Sequence, residues 1–334
     1  MNATRISKFN PCWVLLALLT LSMGVQASDD PPAGQTPRKE PAVEDGLPKV
    51  KHMIDTHIHL YDTSREKGVP WPPKDDKVLY KPHLPPEFKS VSQKAGVTGV
   101  VIVEASDWVD DNRWVLDLVK GNDYFVGLVG NVDPYRKDFG KELRKIAKDK
   151  RLVGIRARVS GKKIDYRDKQ VLKSFKVLSK RGLTLDILMN GEGHETVLEV
   201  AGVAEKLPEL RIVVNHVLGY NIDGKLPGKE WMDAVKKLSA HKNVYVKISG
   251  LYQRCVPQPA TQEVDHYREL LDILWNQFGE DRLVYGSNWP CTKKSGDYTS
   301  FVKLVNRYFS EKGQPACEKY FWKNASTAYN LGLK

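Results

Sequence analysis

Two histidines one residue apart, His57 and His59, close the first strand-like run of this 334-residue chain, Met53–His57 with Ile58 and His59 after it. Alternate residues of a strand share a face, so the two imidazoles project together at a spacing that suits one metal ion. An isolated H-x-H pair is more often structural than catalytic. Here a third histidine ends another β-branched run, Val213-Val214-Asn215-His216, and a third run ends Tyr285-Gly286-Ser287-Asn288-Trp289-Pro290. Neutral imidazoles can ligate a divalent cation or take a proton near neutral pH, and either role activates water for attack on a carbonyl. His57, His59 and His216 are therefore the expected ligands of a divalent metal, with zinc favoured by the donor type. His216, Asn288 and Glu104, the residue that follows Val101-Ile102-Val103, are the polar groups that stand at three further strand ends.

Other strand-like runs end in Arg156 and Arg158, in Asn190 with His194 just beyond, and in Lys247 with Tyr252. Arg156 has two readings of equal weight. Its guanidinium could grip a substrate carboxylate or enolate oxygen bidentately, or it could pair with a carboxylate such as Glu104. His194 begins a helical pattern on the rim. Its half-motif His194-Glu195 has Leu198 where a zinc-protease helix would place the second histidine, so that chemistry is excluded. Gly191-Glu192-Gly193 lacks the third glycine of a dinucleotide loop and falls far from the first strand. Between Tyr61 and Pro86 a proline-rich stretch carries Trp71, Tyr80 and His83, and is expected to lie over the site as a stiff aromatic cover. Arg156, Arg158, His194, Lys247, Tyr252, Trp71 and Tyr80 are thus the substrate-binding candidates, for a small molecule bearing a carboxylate or an enolate oxygen.

These residues need a scaffold that gathers strand ends. Eight β-branched runs (Met53–His57, Gly99–Val103, Tyr124–Val129, Leu152–Arg156, Leu183–Leu188, Arg211–Asn215, Val244–Ile248 and Leu283–Tyr285) alternate with amphipathic stretches of helical length. Parallel strands need helical crossovers, and eight of them can close into a single (β/α)8 TIM barrel whose C-terminal mouth collects the polar residues. Glu318–Tyr329 is left over as an extra C-terminal helix.

Residues 1–27 read as a cleavable secretory signal: Arg5 and Lys8, the apolar run Trp13–Leu21, and the small-residue site ending at Ala27. The apolar core is too short to span a bilayer. Residues 28–50, with Pro31, Pro32, Pro37, Pro41 and Pro48, read as a linker, and 51–334 as the barrel domain. The expected location is periplasmic or secreted, with no membrane attachment after cleavage. The formal charge of +11 is spread along helix patterns such as Lys173, Lys176 and Lys180 without stacking aromatics, which argues against a nucleic-acid partner. Cys255, Cys291 and Cys317 form no C-x-x-C and no disulfide framework.

Taken together, the runs Ile54-Asp55-Thr56-His57-Ile58-His59, Val101-Ile102-Val103-Glu104-Ala105-Ser106, Val153-Gly154-Ile155-Arg156, Leu210–His216, Val246-Lys247-Ile248-Ser249-Gly250-Leu251 and Leu283–Pro290 occur in an order that resembles the amidohydrolase-related branch of the amidohydrolase superfamily. These are metal-dependent TIM-barrel hydrolases that include sugar-lactone and pyrone-dicarboxylate lactonases. The resemblance implies a mouth where the His pair, the strand-six His and a strand-eight carboxylate bind a metal or the substrate. This chain departs from it at Asn288, where Asp is common and where an amide cannot act as a base. It also has Glu104 where Gln is usual and Asn215 where Asp often precedes the His. Two routes to a lactone hydrolase remain open. In one a metal on the histidines acidifies water and Glu104 or a histidine takes the proton; in the other the His cluster and Arg156 polarise the carbonyl and His216 or His57 is the base. A decarboxylase of unsaturated or aromatic acids, and a non-catalytic carbohydrate-binding barrel, are the alternatives.

Overall fold

The computed structural model describes residues 46–159, 163–191 and 193–333. Its strands are β1 (Ile54–Ile58), β2 (Gly99–Val103), β3 (Phe125–Gly130), β4 (Leu152–Arg156), β5 (Thr184–Ile187), β6 (Ile212–Val214), β7 (Val244–Ile248) and β8 (Leu283–Tyr285). Each is rich in Val, Ile and Leu, as strands covered on both faces must be. They pair in parallel in chain order, β1 through β8. The sheet closes where Asn288 N donates to His57 O at 2.8 Å and His59 N to Trp289 O at 2.8 Å. This is the expected (β/α)8 barrel, and closure excludes an open doubly wound sheet.

The helices are α1 (Pro85–Ser92), α2 (Asp111–Leu118), α3 (Phe139–Ile146), α4 (Lys169–Lys180), α5 (His194–Lys206), α6 (Lys229–Ser239), α7 (Leu251–Arg254), α8 (Val264–Phe278), α9 (Tyr298–Glu311), α10 (Gln314–Glu318) and α11 (Asn324–Tyr329). Two start on side-chain caps that satisfy otherwise unpaired backbone donors: Asp168 accepts from Gln170 N and Val171 N, and Asp297 from Ser300 N. One apolar core lies between strands and helices, with Val100, Phe175, Leu238 and Leu274. A second fills the barrel with Ile54, Val101, Val129, Val153, Val213 and Val284.

The extra C-terminal helix is present, and it seals the barrel. Trp322, Ala325, Ala328 and Tyr329 pack against the interior residues. Thr184 Oγ1 donates to Ala328 O at 2.6 Å, and Tyr329 reaches upward to Asp186 at 2.9 Å. The opposite end is left to the polar strand ends.

Two expectations about the N-terminal region meet the structure differently. The signal, 1–27, and most of the linker lie outside the described residues. Residues 46–50, expected as linker, instead lie on the barrel: Gly46 O accepts from Asn306 Nδ2 at 3.2 Å, Lys49 O accepts from Gln314 Nε2 at 2.5 Å, and Leu47 and Val50 pack against the core. Prolines among acids hid two apolar residues that pack on the core while the neighbouring carbonyls of Gly46 and Lys49 bond α9 and α10. Among the described residues no helix is long and apolar enough to cross a membrane.

Candidate active site at the barrel mouth

The register of β1 against β2 shifts between Asp55 and Ile58, so that three residues of β1 run beside two of β2. Such a bulge re-aims side chains. Ile58 turns into the helix-facing core, while the His57 and His59 rings stand edge to face with centroids 5.0 Å apart. Asp55, fully buried, fastens this strand to β8: Oδ1 accepts from His57 N at 3.0 Å and Ser287 N at 2.9 Å, and Oδ2 from Tyr298 OH at 2.8 Å. Burial raises its carboxyl above the usual range, against those hydrogen bonds. Gly286 makes room for the arrangement, since a Cβ there would stand 2.8 Å from His57 Cβ and 3.1 Å from Lys247 Cδ.

His216 comes from across the barrel, its ring centroid 4.5 Å from that of His57. It opens a turn with left-handed backbone at His216, Val217, Leu218 and Gly219, φ 53°, 47°, 59° and 73°. Ser249, just past β7, holds the ring: its Oγ stands 3.0 Å from His216 Nδ1 and accepts from His216 N at 3.2 Å. Gly250 leaves the ring its place, because a Cβ there would lie 3.1 Å from Nδ1. Sequence reading passed over Ser249, although a hydroxyl at a strand end facing a histidine is a usable signal.

Arg156 donates through Nε to Glu104 Oε1 at 2.7 Å and through Nη2 to Glu104 O at 2.7 Å, with both side chains buried. Of its two readings, the structure shows the ion pair. The remaining terminal nitrogen, Nη1, stands 3.4 Å from His57 Nε2. Arg158, 29% exposed, has Nη1 3.6 Å from Glu104 Oε2. Burial raises the Glu104 carboxyl although both guanidiniums pull it down. Burial likewise holds all three imidazoles neutral: His59 is lowered to about 3, with Arg156 adding to the effect, and His57 and His216 are driven well below the ordinary range, aided chiefly by Lys247 and Arg156 respectively.

The donor types suit a divalent cation. His59 Nδ1 is bound to Val103 O at 3.0 Å and His216 Nδ1 to Ser249, the outer-shell pattern that turns Nε2 lone pairs toward an ion. Their placement leaves the last step undone: among the described residues no group of three or more His, Cys, Asp or Glu side chains is assembled as a metal site. His57 Nε2 faces a guanidinium, His57 Nδ1 is buried without a partner, and residue 288 is an amide. Asn288 itself is buried, with left-handed backbone, φ 60°.

The segment after β1 covers these groups. Its ends are pinned by the reciprocal backbone bonds Tyr61 N to His83 O, 3.1 Å, and His83 N to Tyr61 O, 2.8 Å. Trp71 stands edge-on to His59, centroids 5.5 Å apart. His83, fully buried, bonds Glu87 Oε2 at 2.8 Å. Tyr80, half-buried, is tied through its backbone N to Asp76 O at 2.8 Å. The other candidates part company with the mouth. Lys247 is fully buried and spent on Asp186 Oδ2 at 2.9 Å and Thr56 O at 2.8 Å. Tyr252 is buried beneath α9, its hydroxyl 3.2 Å from Ser300 Oγ. His194 sits on the rim at the start of α5, 3.4 Å from Glu195.

Comparison with known proteins gives a consistent set. A family model described as amidohydrolase matches residues 54–331. An L-fucono-1,5-lactonase of Burkholderia ambifaria is 29% identical over 288 residues, covering 83% of this chain and 95% of its own. An L-rhamnono-gamma-lactonase of Scheffersomyces stipitis is 21% identical, covering 84% of this chain and 98% of its own. Among solved structures, an amidohydrolase from Burkholderia multivorans with bound HEPES superposes with a TM-score of 0.75 at 20% identity, over 84% of this chain and 99% of that one. A second crystal form of that target, with bound zinc, gives 0.73.

Proposed function

From the premise that the chain belongs to the amidohydrolase family, we propose that it opens the cyclic ester of a sugar-acid lactone. It is a lactonase-like hydrolase acting on ester bonds. The observation that carries the finer reading is the enclosed trio of neutral imidazoles, with His216 held by Ser249 through Nδ1.

Family membership and the zinc-bound neighbour support a divalent cation. His57 and His59 would hold it with His216 beside them, zinc being the proposed ion; when bound it would polarise the lactone carbonyl and acidify water. The remaining work falls to the chain. With Ser249 accepting from Nδ1–H, His216 Nε2 keeps a lone pair and takes a proton from water as the water oxygen bonds to the carbonyl carbon. Arg156 retains N–H groups beyond those given to Glu104 and His57, and these can meet the developing oxyanion. The ring C–O bond then breaks, the imidazolium returns its proton to the leaving oxygen, and the product is the open hydroxy acid. Trp71 and its loop exclude bulk water.

A pH-stat assay over a panel of aldonolactones, with His216→Ala and His57→Ala, tests this. A loss of about 10²–10⁴ in turnover is expected for His216→Ala. Wild-type turnover by both variants on every lactone opened by the parent sinks the reading. Asn288 favours one second reading, since decarboxylation needs no carboxylate base; release of CO2 from unsaturated or aromatic acids, without lactone opening, would put that reading first. Export belongs to the same proposal and rests on Arg5, Lys8, Trp13–Leu21 and Ala27. Protein recovered from outside the cytoplasm should begin at Ser28 on N-terminal sequencing.

A further inference from the structure

Glu104 is buried at the mouth and only one of its carboxylate oxygens is used. Oε1 accepts from Arg156 Nε at 2.7 Å, whereas Oε2 has no hydrogen-bond partner among the described residues. The nearest cation to Oε2 is Arg158, at 3.6 Å. Two guanidiniums therefore share Glu104, and Asp107 adds a second negative charge close enough to be felt by it. Two cations against two anions leave this corner of the mouth without net charge. Glu104 also lines a cavity of about 20 Å³ together with Leu60, Val69, Trp71 and Trp114. That volume is on the order of what one water or one hydroxyl needs.

We propose that Glu104 makes this site select neutral, polyhydroxylated lactones over carboxylate-bearing ones, by cancelling the charge of Arg156 and offering Oε2 to a substrate hydroxyl. A carboxylate entering the mouth finds the charge of the guanidinium beside His57 already offset by Glu104, although N–H groups remain on it, and meets a buried negative charge. A hydroxyl finds an acceptor that otherwise stays unsatisfied, and an unpaired buried acceptor is costly enough to discriminate strongly. This inference rests on the lactone reading for its substrates, and adds which of them are admitted.

The experiment compares L-fucono-1,5-lactone, neutral, with D-glucaro-1,4-lactone, which carries a carboxylate, using the full-length protein. Binding of fuconate, glucarate and fucitol is measured by titration calorimetry beside turnover of both lactones. The wild type should favour the neutral lactone in kcat/KM by at least about 100-fold. In Glu104→Gln that preference should fall by ten-fold or more through a lower KM for the acidic lactone, with the gain reduced by salt. Glu104→Gln/Arg156→Gln should lose the gain. A wild type that prefers the acidic lactone, or a folded Glu104→Gln with the parental ratio, overturns the proposal. Should Glu104→Gln not fold, the wild-type ratio alone decides. If no lactone is opened, the hydrolase reading fails separately, and calorimetry then decides: tighter fucitol than glucarate binding supports the selectivity, and the reverse refutes it.

Discussion

Tyr329, in the helix that seals the barrel floor, donates its hydroxyl to the Asp186 carboxylate, 2.9 Å from Oδ1 and 3.0 Å from Oδ2. Asp186 also accepts from Lys247 Nζ and from Asn215 Nδ2, each at 2.9 Å. Lys247 in turn bonds the carbonyl of Thr56, the residue before His57. The floor of the barrel and the base of the site are therefore one hydrogen-bonded unit. Tyr329→Phe should cost about 1–3 kcal/mol in urea unfolding. Lys247→Met, which strands a buried carboxylate, should cost about 3–5 kcal/mol. Equal stability of Tyr329→Phe and wild type would show that the network is not coupled to folding.

Ser249, fully buried, holds His216 through its Nδ1. Ser249→Ala should lower kcat about ten- to hundred-fold with little change in KM, by analogy with outer-shell partners of other functional histidines. Ser249→Thr, which keeps the hydroxyl, should recover most of it. A parallel loss in both variants with wild-type KM would instead indicate a packing role.

Acid should unfold the protein through its histidines. His59 is lowered to about 3 in the fold and titrates near 6.5 when unfolded. The unfolded chain thus binds more protons in that interval, and stability rises with pH from about 3 to about 6.5. Stability from this group is fully present above the unfolded value and is lost as pH falls toward the folded one. His57 and His216 are shifted in the same direction. Denaturation midpoints between pH 4 and 7, taken in EDTA, should show this slope, and His59→Asn should flatten it by up to one proton. An unchanged slope would mean that His59 is protonated in the fold.

Asn288→Asp puts a carboxylate just past β8, where this chain has an amide. Zinc affinity, measured by competition with a chromophoric chelator, should rise at least ten-fold, because a charged oxygen replaces a neutral amide beside neutral imidazoles. No change would place residue 288 outside reach of an ion held by His57 and His59.

Much of this architecture was legible in the sequence. The eight runs are dense in branched residues because both faces of a parallel strand are covered, and helical stretches of fitting length stand between them. Strand ends also revealed that His57, His59 and His216 converge. Depth along a strand was harder to read. Lys247 has the polarity of a mouth residue, but its partners Asp186 and Thr56 hold it within the barrel. Tyr252 follows Gly250, whose left-handed backbone, φ 68°, redirects the chain under α9. The choice between the two roles of Arg156 depended on Glu104, 52 residues earlier, and no local pattern reports which carboxylate a folded chain brings alongside.

The turn that carries His216 shows how the site is aimed. A β-branched residue in the left-handed region, such as Val217 at φ 47°, is costly, on the order of 1–3 kcal/mol. Complete burial of Val217 and Leu218 offsets that cost by anchoring both side chains in the outer core. The direction of the imidazole is consequently set by backbone handedness together with the Ser249 contact rather than by a freely chosen rotamer. Two buried apolar side chains thus act as the keel that keeps the histidine on course, and their repacking would turn it away from Ser249.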